Sequence, residues 1–178
     1  TMAKILAGGL PGGAVGGKAE IINMIEFSDD DTFNNTTRIP HNGTYNANPL
    51  SAVAGATALG LVANTPINDT ANAMANRLKK GLNKMLAETE TQGRATGVAS
   101  MVFLRLGVDI NSDDDLYGFG SEEYNKMLNP AMINQLNLAL YSHGVHASHR
   151  FILGAKHSER DIDFTVESVS KAIDDLKQ

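Results

Sequence analysis

The chain has 178 residues, 42% of them apolar and 20% charged, which is the size and balance of one globular domain or two small ones. It holds no cysteine, which excludes disulfide frameworks, thiolate nucleophiles, Cys-ligated zinc and iron–sulfur clusters. Its net charge of -5 argues against nucleic-acid partners, which call for a basic stripe, and no run approaches the ~18 apolar residues of a membrane span. No charged flank followed by an apolar core of signal type opens the sequence, so the expected compartment is the cytoplasm. The Asn-x-Thr triplets at Asn35, Asn42 and Asn68 then read as chance in an Asn-rich chain.

The first element is a short apolar run over 3–7, AKILA, of strand type. Six glycines within 8–17 follow, and that run forms no regular element, because each glycine raises the entropy cost of ordering the backbone. Residues 18–27 read as helical or mixed. Residues 28–48 carry Asp29-Asp30-Asp31 and several asparagines and read as a long polar loop, of the kind that is functional or disordered. Asn48-Pro49 is a cap followed by proline at the first helical position, and Pro66 starts a second helix. On the second, Ile67, Ala71, Met74, Leu78, Leu82 and Met85 mark one face. Residues 98–106, VASMVFLRL, read as one strand. Asn129-Pro130 opens a helix through Tyr141 with Gly144 as its stop. Phe151-Ile152-Leu153 is a short strand, and Ser158 with Asp161 forms a capping box before a last amphipathic helix. From about residue 66 onward the alternation is that of a small α/β or α+β domain.

Several motifs carry chemistry on paper. Gly12-x-x-x-x-Gly17-Lys18 approaches a phosphate-binding loop, but Ala19 stands where a magnesium-binding hydroxyl is needed. His143, His146 and His149, with His157 nearby, have ligand-like spacing that Gly144 interrupts, so no metal is expected. Asp109-x-Asn111-x-Asp113 begins like a calcium loop, yet Asp114 and Gly120 occupy the positions of its glycine and glutamate. Lys4 is the informative residue. A lysine inside an apolar run is either an edge residue reaching solvent or a desolvated amine able to bind a carbonyl, and the spacing leaves both open.

The segment from Thr1 through Lys4 to Gly8-Gly9-Leu10-Pro11-Gly12-Gly13 resembles the pyridoxal-phosphate lysine segment of class III aminotransferases, most closely the glutamate-1-semialdehyde 2,1-aminomutase branch. His41-Asn42-Gly43-Thr44-Tyr45-Asn46-Ala47-Asn48-Pro49 is similar to that family's phosphate segment, and Lys156-His157 through Asp161-Ile162-Asp163 to its closing helix start. The resemblance implies an α/β chain of the pyridoxal-phosphate (PLP)-dependent transferase fold type I. Residues 1–65 would be the end of the large PLP-binding domain, and residues 66–178 the small C-terminal α+β domain. It further implies Lys4 as the catalytic Schiff-base lysine, and Gly43 and Thr44 at the cofactor phosphate, with Thr44 acting across a homodimer interface. The implied substrate is a small amino or keto compound. Ala7 replaces a glycine of the aminomutase's run and the loop before Thr44 departs from the family's, which leaves plain aminotransferases open. A cofactor-stacking aromatic and a pyridine-nitrogen partner have no counterpart here, so the chain reads as a piece of a longer protein with little activity alone. The alternative is a non-catalytic packing or interaction domain.

Overall fold

Capping side chains decide where most helices of this chain begin. The computed structural model describes residues 1–108, 122, 129–147 and 149–177, and divides the chain into two compact units, Thr1–Thr65 and Pro66–Gln178.

In the first unit, α1 (Ala19–Ile22) runs into a single 3-10 turn, Asn23–Ile25. The stretch expected as a loop over 28–48 contains a helix, α2 (Asp31–Thr36). Its aspartates are helix-start chemistry: the Asp30 side chain accepts from the Thr32 amide at 2.8 Å, and Asn34 exchanges hydrogen bonds with Ser28. Helix α3 (Pro49–Asn64) starts as expected, with the Asn48 side chain accepting from Leu50 and Ser51. The run over 3–7 is not a strand. Lys4–Ala7 is one 3-10 turn, and only Met2 and Ala14 form a β-bridge nearby. A strand needs a partner, and here Lys4 adopts φ +59° and the turn settles on α3. That approach is very close. A Cβ on Gly55 would lie 2.5 Å from the Leu6 carbonyl oxygen, and one on Gly8 would collide with the Ala54 carbonyl. Ala7 is buried in the contact.

In the second unit, α4 (Ile67–Glu88) precedes β1 (Gly93–Val98), β2 (Met101–Leu106), α5 (Pro130–Ser142), β3 (Arg150–Ile152) and α6 (Glu159–Leu176). The three strands form an antiparallel sheet in the order β1-β2-β3. The run over 98–106 is therefore not one strand but a hairpin, turning at Ala99 with φ +52°. Its first arm, with Gly93 and Gly97, lies ahead of the apolar run that reads as a strand. In the structure both let β2 backbone come close, because Cβ atoms there would collide with the Arg105 and Met101 carbonyls. Asn83 on α4 completes the outer edge of β1, donating to the Ala95 carbonyl and accepting from its amide, each at 2.8 Å. The core lies on one side of the sheet. Ala95, Val102, Leu104 and Phe151 meet Leu78 and Leu82 of α4, Leu136 and Leu140 of α5, and Ile162 and Val169 of α6.

Two glycines of α3 should respond in opposite directions. Gly60 has no atom within 4 Å of where a Cβ would stand, so Gly60→Ala should stabilise the first unit by about 1 kcal/mol through helix propensity. Gly55→Ala should instead cost about 1–3 kcal/mol through the collision with Leu6. Denaturant unfolding of the two variants followed by circular dichroism measures both, and equal shifts of one sign would refute the close approach.

Candidate functional site

Lys4 stands at the start of the 3-10 turn with its side chain exposed. Among the described residues its ammonium has no hydrogen-bond or ion-pair partner, and in this chain the amine is accessible. Its φ of +59° is left-handed. For a residue with a Cβ that conformation costs roughly 1–2 kcal/mol and persists only where the surroundings impose it. Those surroundings are Ala7 in the contact and the glycines at 8 and 55, which fix the turn on α3.

Gly43 and Thr44 lie in an exposed segment just before α3. Asn46 closes the segment: its amide donates to the Gly43 carbonyl at 3.0 Å and its side chain donates to the His41 carbonyl at 3.1 Å. Among the described residues, the Thr44 hydroxyl and the amides of Gly43, Thr44 and Tyr45 have no intramolecular partner. Four free donors near a helix start suit a phosphate dianion. Among the described residues no hydrogen bond joins Lys4 to Thr44. A cleft of about 750 Å³ bounded by Leu6, Gly12, His41, Tyr45, Ser51 and Gly55 is lined by neither of them, nor by Gly43.

The other candidates disperse. The helix after Gly17-Lys18 is only the four-residue α1, and Lys18 pairs with Glu20 at 3.8 Å. His143 Nε2 lies 2.8 Å from Asp175, His157 Nδ1 accepts from the Gly154 amide at 2.9 Å, and the His146 ring stands against Tyr141. Among the described residues no group of three or more metal-ligating side chains assembles. The calcium-loop-like stretch from Asp109 to Gly120 lies outside the described residues.

The family model of aminotransferase class III matches residues 1–122. The chain belongs to the class III aminotransferases. It is 27% identical over 168 residues to the glutamate-1-semialdehyde 2,1-aminomutase of Methanococcoides burtonii, covering 94% of this chain and 37% of that protein. To the same-named protein of Acetivibrio thermocellus it is 30% identical, over 96% of this chain and 36% of the relative. The crystal structure of an omega-transaminase from Sphaerobacter thermophilus superposes with a TM-score of 0.77 at 27% identity, over 99% of this chain and 38% of that one. A transaminase with PLP bound superposes at a TM-score of 0.74 and 21% identity, over 97% of this chain and 37% of that one. This class III chain thus spans well under half the length of the relatives it matches, and holds part of the PLP-dependent transferase fold of type I. The family is PLP-dependent. The groups present fit that cofactor, with an exposed primary amine at Lys4 and, among the described residues, hydroxyl and amide donors at Gly43 and Thr44 that have no intramolecular partner.

One part of this class III chain was not foreseen from sequence. Arg94, Arg105 and Arg150 share the sheet face away from the core, and Arg105, 5% exposed, donates from Nη1 to the buried Thr96 hydroxyl at 2.9 Å. A single arginine in VFLRL carries no sign that it is buried. Beside it, burial first, then the charges of Arg105 and Arg150, hold the His149 imidazole below its usual pKa. The unfolded chain therefore binds a proton there at a pH where the folded chain does not. The stability linked to His149 is complete above the usual histidine value and is lost as pH falls through it. His149→Gln should flatten the decline in unfolding free energy between about pH 7 and 5. Denaturant melts across that range test it, and a slope unchanged by the substitution would count against this environment.

Proposed function

We propose that this chain supplies the C-terminal part of a PLP-dependent enzyme of amino-group transfer, an aminotransferase or a 1,2-aminomutase of glutamate-1-semialdehyde type. The observation that carries it is Lys4: a free, exposed amine held in a costly backbone conformation on a turn fixed by glycines. In this reading residues 1–65 are the end of the large cofactor-binding domain and residues 66–178 the small domain.

PLP, when bound, acts as an electron sink that makes the proton on the substrate's amino-bearing carbon removable. Lys4 would hold the cofactor through Nζ, and the same amine, once free, would take and return that proton. The Thr44 hydroxyl with the amides of Gly43 and Thr44 binds the phosphate, in the neighbouring subunit's site. A homodimer fits the surface of α3, which carries no charged residue and leaves Leu50 and Val53 68% and 66% exposed. The working partner is a small amino or keto compound, and the compartment is the cytoplasm; among the described residues no single helix is long and apolar enough to cross a membrane. Taken alone, the chain should show little turnover, because the orienting groups that make such sites fast are worth many orders of magnitude in rate. A second reading, a non-catalytic packing domain, draws on the lack of a hydrogen bond between Lys4 and Thr44 among the described residues.

The two readings part on cofactor chemistry. In the full-length enzyme, Lys4→Ala should abolish the visible absorption of lysine-bound PLP and reduce turnover by several orders of magnitude. Thr44→Val should weaken cofactor retention about tenfold, the loss of roughly one charge-assisted hydrogen bond, while leaving the circular dichroism unchanged. Spectral titration with PLP reads both. An unsubstituted protein without that band would favour the packing domain, and a band that survives Lys4→Ala would remove Lys4 from the site.

A further inference from the structure

Asn42 is the only asparagine of the chain followed by glycine. Both residues are exposed, and among the described residues neither the Asn42 carboxamide nor the Gly43 amide has a hydrogen-bond partner. Five of the other asparagines are held, although Asn35 and Asn68, neither followed by glycine, are also exposed without a side-chain partner among the described residues. Asn48 and Asn129 cap helices, Asn83 clasps Ala95, Asn34 binds Ser28 and Asn46 reaches the His41 carbonyl. Closure of the loop by Asn46 engages the carbonyls of His41 and Gly43 and leaves the Gly43 nitrogen unengaged. With no Cβ at Gly43, nothing on that residue hinders its nitrogen from meeting the preceding side chain.

We propose that Asn42 is a site of spontaneous deamidation, and that its conversion works against the phosphate position at Thr44. The Gly43 amide gives up its proton to solvent base, and its nitrogen attacks Asn42 Cγ. An N–Cγ bond forms, the Cγ–Nδ2 bond breaks, and ammonia leaves with the returned proton. Water then opens the five-membered imide at one of its two carbonyls, giving aspartate or isoaspartate. The balance is amide plus water to acid plus ammonia, with no oxidant or reductant. The consequence rests on the reading of Thr44 as a phosphate ligand. A carboxylate two residues before Thr44 repels a phosphate dianion, and isoaspartate also inserts a methylene into the main chain ahead of Gly43. The covalent event needs no such reading. It is a property of the loop.

The chain incubated at mildly alkaline pH and mapped by peptide mass spectrometry should show Asn42 converting ahead of every other asparagine, as a mixture of the two acids. Conversion should vanish in Asn42→Gln and slow severalfold in Gly43→Ala. Asn42 retained as the amide while other asparagines convert would overturn the proposal. So would equal rates in wild type and Gly43→Ala, since the absence of a Cβ beside the attacking nitrogen would then not be what singles out Asn42. In the full-length enzyme, Asn42→Asp should lower cofactor retention in the same direction as Thr44→Val. Loss in Thr44→Val alone would overturn the proposed effect on the phosphate position. If conversion occurs and neither variant alters retention, the reading of Thr44 falls and the deamidation site stands.

Discussion

The first unit depends on the backbone-to-backbone approach of the Lys4–Ala7 turn to helix α3. Only a residue without a Cβ at position 55 lets the Leu6 carbonyl lie where it does, and only one at position 8 fits against the Ala54 carbonyl. The helix thereby acts as a ruler. Asn48 caps its start, directly after the segment of Gly43 and Thr44, and Gly55 receives the lysine turn seven residues later, about 10 Å along the axis. One rigid element thus fixes the spacing of the two candidate groups. Under the proposed function that fixed spacing suits groups that serve different sites.

The second unit shows how a motif of family type is used for folding. Asp161 completes the capping box: Ser158 donates to its carboxylate from both amide and hydroxyl, at 2.7 Å each, and those bonds hold its carboxyl below the usual range. Ile162 is buried in the core at 1% exposure. Asp163 grips Arg77 of α4 through Nε and Nη2 at 3.1 and 2.9 Å, while Glu159 meets the same guanidinium. Exposed ion pairs of this kind contribute little stability singly, but their bidentate geometry sets the register of α6 on α4, where Gly81 admits Val166. The three residues are a cap, a core anchor and a clamp.

What was legible in the sequence was local. The starts at Asn48, Asn129 and Ser158, the stop at Gly144 and the apolar stripe of α4 each depend on residues within one or two turns. What was not legible depends on distant partners. The AKILA run has strand composition, yet without a neighbouring strand it coils onto α3. β1 carries two glycines and no apolar run, and the purpose of those glycines is visible only against β2. The aspartates at 30 and 31 read as solvent-loving, when one is a cap and the other the first helical residue. At the candidate site, resemblance pointed to Lys4, while its accessible amine and left-handed backbone belong to the three-dimensional structure alone.

The exposure of Lys4 and the bareness of α3 bear on one another. An amine that binds a carbonyl works best in a dry site, where its charged form is disfavoured and water is kept from the bound cofactor. Lys4 is wet in this chain, and its turn rests on a helix that carries no charge and shows Leu50, Val53, Leu59 and Leu61 to solvent. A helix apolar on all sides belongs in an interior. Under the proposed function, surface that covers α3 also approaches the turn seated on Gly55, so the burial that satisfies the helix is positioned to dehydrate the lysine.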